Sequence, residues 1–466
     1  MLLACCVLSV FGQPDAPKIH AITDISHEFS FYFDGRFGGQ YVAPSGGENA
    51  MNWGTLSKLD VSNVNLLILS SGPTPCPYTE ADIALVRSFL ESGGGVAVLG
   101  DYGTFRDETT YRLNDLAEAF GAQFAAEPSV QPLKALPELG SESTTNYGGR
   151  VLALDDPTVW AVLMEDAQGR PVLARRAVGA GSLLVSSRAL CGRQPDAKDP
   201  INAEWWAPLL ADLAKGKQVD PAKPPEGASP ENVIQKEGLK IESSDYLLPI
   251  ADTIFAMYEK CRPVQERILG VPPHEGMLKT LILLPCGGGG FSSGEAIGLG
   301  VWWGDFPIKQ YGMVELLGHE ATHSWVLPFA EPMWNEGIAT YVGILLGREL
   351  GLEADADATL KDWIDGAIKS DPDMTKIDIA HGTDVPHVVA MAKPMWIWEQ
   401  LRAEKPDLLA LYFQAKRRLI DPAVRKEYTA DDSVAVLSVA MGRDLFPWFQ
   451  SLGITVDRTK ATVPME

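Results

Sequence analysis

Residues 217–232 of this 466-residue chain read KQVDPAKPPEGASPEN. Its four prolines remove four backbone donors and fix four φ angles, so neither a helix nor a central strand can run through the stretch. No apolar period crosses it, which is the composition of a semi-rigid spacer. Whatever this chain folds into must be built on either side of that segment. The expected organisation is a leader over 1–13, a first unit over 14–216, the spacer, and a second unit over 233–466. Either unit is long enough to bury its own core, and no internal repeat is visible.

In the first unit, apolar strand-like runs alternate with helices. VNLLILSS (64–71) reads as a buried strand and TEADIALVRSFLES (79–92) as an amphipathic helix begun by Thr79. Gly93–Gly95 stop that helix, and VAVLG (96–100) is the next strand. AGSLLVSS (180–187) is another strand and NAEWWAPLLADLAKG (202–216) a closing helix. Such alternation predicts an α/β unit, a parallel sheet flanked by helices on both faces. The order strand, helix, SGGGVAVLGD resembles the class I glutamine-amidotransferase-like fold over roughly 18–215, in its non-catalytic variants. Enzymes of that fold carry a nucleophilic Cys between glycines after such a strand. Here the place reads Gly100-Asp101-Tyr102-Gly103, and the candidate bases His20 and His27 have no thiol to activate. The resemblance therefore implies a binding or scaffolding unit.

A formal charge of −22 repels phosphate backbones and anionic lipid, which argues against nucleic-acid and membrane-surface partners. No later stretch reaches the roughly 18 apolar residues of a membrane span. The start, MLLACCVLSVFGQPDAP, reads as a secretory signal cleaved near Gly12, although its basic region is missing; LLAC resembles a lipoprotein acylation box. The expected location is secreted or periplasmic. Cys5 and Cys6 lie in this leader. Cys76 with Cys191, and Cys261 with Cys286, would suit one disulfide per unit; four buried free thiols are the alternative, and the sequence does not choose.

The chemistry is concentrated in LLGHEATHSWVLPFAEPMWNEGIATYVG (316–343). On a helix, His319 and His323 stand on one face about 6 Å apart along the axis, close enough to share one ion. Glu320 is rotated out of their row and can reach a water held by that ion. Met313, Leu316, Leu317, Trp325 and Val326 mark the buried side, and Pro328 ends the helix. The PFAEP turn returns the chain antiparallel, so Glu336 on the following helix can face the histidines as third ligand. A fourth position left to water distinguishes a catalytic zinc from a structural one.

HEATH…WNEGIATY resembles the gluzincin metallopeptidases, the group containing thermolysin and the membrane-alanyl-aminopeptidase family. The resemblance spans about 240–456. It implies an α+β peptidase domain, zinc as cofactor, a protein or peptide substrate, His319, His323 and Glu336 as ligands, and Glu320 as general base. Thr340 falls where thermolysin-like enzymes place an Asp that supports a ligand histidine. By the same resemblance, 243–270 is the helix before the sheet and LKTLILLP (278–285) its first strand. EAIGLGVWWG (295–304) is the edge strand that pairs with substrate, and GRDLFPWFQSLGITV (442–456) the closing segment.

The chain departs from the family in several places. Met391 and Pro394 stand where aminopeptidases carry the Tyr and Gly of the oxyanion-stabilising segment; His387, one turn earlier, is a substitute donor. GGGGFSSGEA replaces the amine-capturing Gly-x-Met-Glu-Asn, with Glu295 as a weak stand-in, which favours endopeptidase action. The glycine run 287–290 lacks the Lys-Ser/Thr of a phosphate loop and is read as a mobile loop beside the cleft. EADADATLKDWID (353–365) fits no calcium loop and is read as a solvated helix face. Trp302, Trp303, Trp334 and Trp396 are read as core or cleft wall. The expected function is zinc-dependent peptide-bond hydrolysis. The alternatives are an enhancin-like peptidase acting on glycosylated proteins and a zinc-binding scaffold without turnover.

Overall fold

The computed structural model describes residues 18–24, 48–70, 77–100, 113–139, 144–145, 149–187, 206–236, 238–284, 287–301 and 310–465. The leader, His27, Asp101 to Gly103, Trp302, Trp303 and Cys5, Cys6, Cys76, Cys191 and Cys286 lie outside them.

The first half supplies β1 (His20–Asp24), β2 (Glu48–Asn52), β3 (Leu66–Ser70), β4 (Gly95–Leu99), β5 (Ala122–Pro128), β6 (Leu133–Ala135), β7 (Thr144–Thr145), β8 (Arg150–Leu154), β9 (Ala161–Glu165), β10 (Pro171–Val178) and β11 (Gly181–Ser186). Nine of them form one sheet in the order β2-β1-β3-β4-β11-β10-β9-β6-β7, while β5 and β8 pair separately. β2, β1, β3, β4 and β11 run parallel. Alternate residues of β3 and β4 face two different cores. Leu66, Ile68, Ala97 and Leu99 meet Leu209, Leu210 and Leu213 of a helix, whereas Leu67, Leu69, Val96 and Val98 meet Val86, Phe89 and Leu90 of another. These are α1 (Glu80–Glu91), started by a Thr79–Asp82 capping box, and, after the short α2 (Leu113–Ala117), α3 (Trp206–Ala214). Burial on both faces explains the near-continuous apolar runs.

The wholly parallel sheet expected from the sequence is corrected over the remaining strands. β10 pairs antiparallel with β11 and β9, and β6 antiparallel with β9 and β7. Those strands are short or half-exposed, so they lack the apolar run that announces a buried strand. The fold class is mixed α/β.

The proline-rich segment carries no helix or strand before Asn232, where β-structure begins, but it does not hold two bodies apart. Asn63 Oδ1 accepts from Asp220 N at 2.7 Å, Asn63 Nδ2 donates to Lys223 O at 2.8 Å, and Trp53 N donates to Ala228 O at 2.7 Å. Proline keeps the segment extended; side-chain and backbone groups from the first sheet's loops then pair with its free backbone N–H and C=O groups.

The second sheet contains β12 (Asn232–Lys236), β13 (Leu239–Ser243), β14 (Thr280–Leu284), β15 (Gly287–Ser292) and β16 (Ala296–Val301), ordered β12-β13-β14-β16-β15. With it go α4 (Ala251–Leu269), α5 (Gln310–Val326), α6 (Asn335–Glu349), α7 (Glu353–Ile368), α8 (His387–Glu404), α9 (Leu408–Leu419), α10 (Ala430–Met441) and α11 (Phe446–Ser451). Three expectations change. A hairpin, β12–β13, precedes β14, so LKTLILLP is an interior strand rather than the first. β16 is also interior, with β14 on one side and β15 on the other. The edge strand on that side is the glycine run itself, paired antiparallel with β16, rather than a loop. Glycine hides a strand from sequence reading because it contributes no side-chain period. α7 turns most of its acidic residues to solvent, as its spacing suggested.

Among the described residues, no helix is long and apolar enough to cross a membrane. Cys261 is a buried free thiol on α4, and burial pushes it up to about 12.

Candidate metal centre

α5 is buried nearly all round, and α6 crosses it antiparallel. Two glycines set the approach. A Cβ on Gly318 would stand 2.7 Å from the Gly343 Cα, and one on Gly343 would stand 2.5 Å from the Glu315 carbonyl oxygen. With backbones this close, Thr340 and Glu336, one and two turns back along α6, come opposite His319 and His323.

Three donor atoms then converge. His319 Nε2 and His323 Nε2 are 3.2 Å apart, and Glu336 Oε2 lies 3.4 and 3.5 Å from them. Zinc holds nitrogen and oxygen ligands at about 2.0–2.1 Å, which for tetrahedral geometry puts ligands about 3.3–3.4 Å from one another. The three separations match that edge length. Glu320 forms a second group with the same two histidines, the ligand atoms of His319, Glu320 and His323 lying within 4.8 Å of one another. That leaves it within reach of a water on the shared point.

The other ring nitrogens are also held. Thr340 Oγ1 is 2.9 Å from His319 Nδ1, leaving Nε2 to face Glu336. The Asn335 side-chain amide is 3.1 Å from His323 Nδ1 and 3.2 Å from Glu336 Oε1. The direction of the His323 bond follows the tautomer: with Nε2 on a metal, Nδ1 donates and the amide turns its oxygen to it. Asn335 is not among the residues expected from the sequence; its signal there is its place directly before Glu336.

The turn presenting both residues is fixed from farther away. Glu331 is buried, with Lys416 Nζ at 2.5 Å; Tyr412 OH donates to it at 2.6 Å and Trp334 Nε1 at 2.8 Å. Lys416 Nζ also donates to the Phe329 carbonyl at 2.8 Å. No local pattern points to Lys416, which lies 85 residues along the chain from Glu331.

The site is rich in carboxyl groups. Burial, then Glu336 and Glu315, push Glu320 up to about 8, and burial raises Glu315 to about 7. Among the described residues no Lys or Arg pairs with Glu315, Glu320 or Glu336. Hydrogen bonds from the His319 and His323 rings hold Glu336 far below the usual carboxylate range. At His319 burial lowers the imidazole, outweighing the hydrogen bond to Glu336 that would raise it. Neutral imidazole beside ionised carboxylate is the state that binds a cation, and a divalent ion would offset the excess charge.

β15 forms the wall over Glu320. A Cβ on Gly290 would lie 2.7 Å from Glu320 Oε1 and 2.4 Å from the Gly298 carbonyl oxygen. A bulge between Gly287 and Gly290, with Gly289 at φ +77°, brings the strand to this position.

Other expected residues fall elsewhere. Met391 is buried in α8, where its carbonyl oxygen packs on Gly337, directly after Glu336, and it offers no hydroxyl. His387, the suggested substitute, is exposed at the start of α8 with its ring 6.1 Å from Trp363, and does not join the cluster. Glu295 is exposed in the β15–β16 turn. Trp334 is buried among Trp398, Tyr412 and Phe449, and Trp396 is partly buried against the same core. His20 lies buried in β1, its Nδ1 3.1 Å from the Asn63 carbonyl oxygen.

No family model and no curated protein matches this chain. Among solved structures, it is similar to the exo-β-1,4-mannosidase Op5Man5 of Opitutaceae bacterium strain TAV5, with 14% identity and a TM-score of 0.30 over 43% of this chain and 36% of that one. Cytoplasmic protein STM3548 of Salmonella typhimurium gives 12% identity and 0.33 over 42% and 99%. The β-galactosidase of Rahnella sp. R3 gives 13% and 0.28 over 48% and 34%. The chain thus spans about a third of either glycosidase, and likenesses this slight bear on neither fold nor activity.

Proposed function

We propose that the chain is a zinc-dependent peptidase of gluzincin type, with His319, His323 and Glu336 as metal ligands and Glu320 as general base. The observation that carries the reading is the triangle of donor atoms, 3.2, 3.4 and 3.5 Å on its sides. Zinc bound there supplies Lewis acidity, polarising a carbonyl and making water acidic near neutral pH. The chain's own residues do the rest. Thr340 and Asn335 keep the imidazoles turned toward Glu336. Glu320, in the dry space under Gly290, takes the proton of the attacking water. The same carboxyl group is placed to deliver that proton to the leaving amine. The substrate backbone would lie along β15, and export to the cell exterior or periplasm goes with this reading.

The test is Glu320→Gln measured beside the unaltered protein for zinc content and for cleavage of a broad peptide library. Retained zinc with loss of cleavage by about two orders of magnitude or more supports the assignment. Zinc retained with cleavage undiminished removes it. One observation favours a second reading, a zinc-binding interaction protein without turnover: Met391 provides no phenol where the family stabilises the oxyanion. Stoichiometric zinc with no cleavage by the unaltered protein would select it.

A further inference from the structure

We propose that the first unit is a working part of the cleft, with Trp53 as a positioning residue that holds β15 over Glu320. Only its kinetic consequence rests on the peptidase reading.

The argument begins with β15. Its residues 287–290 are all glycine, which costs more backbone entropy to order than any other residue and offers nothing to pack. Anchoring therefore falls on the residues that follow. Ser292 Oγ is 3.1 Å from Ser324 Oγ of α5. Phe291 lays its ring across Gly298 of β16, where a Cβ would stand 2.2 Å from Phe291 Cε1. On the Phe291 ring rests Trp53 from the first unit, edge to face, with centroids 5.9 Å apart and planes at 61°. Neighbouring strand residues face opposite sides. Pressure on Phe291 from one side thus sets Gly290 on the other, against the Glu320 carboxylate.

Trp53 can do this because its backbone is fixed to the proline-rich segment that leads into the second unit. Trp53 N donates to Ala228 O at 2.7 Å, and a Cβ on Gly54 would be 2.6 Å from the Ser229 carbonyl oxygen. Thr55 N donates to Glu231 Oε1. Leu56 N donates to Tyr246 OH at 3.2 Å, and that hydroxyl donates to Asp82 Oδ2 at 2.9 Å. Lys58 and Asp245 pair at 2.6 Å. The first unit is thereby held in one position from the proline-rich segment through Tyr246. Among the described residues, this docking supplies the ring that backs β15. The role found for this unit is structural support of the neighbouring cleft rather than capture of a separate ligand.

Full-length Trp53→Ala and Trp53→Phe test the proposal by hydrogen exchange, zinc affinity and steady-state kinetics on a cleaved library peptide. An edge-to-face ring pair predicts about three- to tenfold faster exchange over 287–292 in Trp53→Ala, with α5 unchanged. Zinc affinity should be unaltered. KM should rise several-fold with kcat within about twofold, and Trp53→Phe should recover most of both effects. Unchanged exchange over 287–292 overturns the proposal, as does an equal rise throughout the second unit. If the unaltered protein cleaves nothing, the peptidase reading fails, and the exchange measurement still decides the role of Trp53.

Discussion

Replacing Gly290 by alanine adds one methyl carbon where the structure has no room. The carbon would lie 2.4 Å from the Gly298 carbonyl oxygen, 2.7 Å from Glu320 Oε1 and 2.9 Å from Glu320 Cδ. Comfortable contact begins at about 3.5 Å, so something must retreat by about 1 Å. Glu320 can rotate its carboxylate, but the Gly298 oxygen belongs to the partner strand, so β15 itself must move. Overpacking of this kind costs about 1–3 kcal/mol in stability. The catalytic cost is larger in proportion, because a misplacement of about 1 Å in a reacting arrangement lowers rates about 100-fold. That is about 2.7 kcal/mol of transition-state stabilisation. Gly290→Ala should bind one zinc per chain, melt a few degrees lower, and lose about two orders of magnitude in kcat/KM toward a library-selected peptide. Metal analysis, a thermal melt and initial rates measure the three quantities. A variant with full zinc and undiminished kcat/KM would show that β15 does not bound the reacting space, and the steric argument would fall with it.

Two further outcomes are expected. Thr340→Val leaves His319 Nδ1 without its 2.9 Å partner and should weaken zinc binding about 10- to 100-fold in chelator competition, with Thr340→Ser close to normal; equal affinities would refute the supporting role. Glu315 is raised from 4.5 to about 7 by burial, so the folded protein holds this proton more tightly than the unfolded chain. The stability it adds is complete below pH 4.5 and is lost as pH rises through about 7, at most about 3 kcal/mol. Metal-free Glu315→Gln should therefore gain stability relative to the parent between pH 5 and 8; parallel melting curves across that range would contradict it.

Local chemistry explains which elements the sequence announced. Thr79 and Asp82 form a capping box because their side chains and the backbone groups they satisfy lie within one turn. β3 and β4 were legible because burial on both faces demands unbroken apolar runs. The HEATH spacing placed His319 and His323 on one face by helix geometry alone. The strands from β6 to β10 and the hairpin β12–β13 escaped notice because they are short or half-exposed. β15 reads as a loop in the sequence because its partners, Gly298 and Glu320, already occupy the space side chains would need, which leaves only glycine there.

The sequence by itself determined the helices that carry the candidate ligands, the interruption of helix and strand at the prolines of 221–230, and the absence of a nucleophilic Cys at Gly100 to Gly103. All of these depend on residues a few positions apart. Only the tertiary structure decided that the Glu336 carboxylate meets the two imidazoles. It also decided that Lys416 braces the turn between them, that a glycine run covers Glu320, and that Trp53 of the first unit reaches that run. These contacts join residues far apart in the chain. They are set by how closely α5 and α6 can approach and by which faces the sheets bury, and no local pattern encodes either.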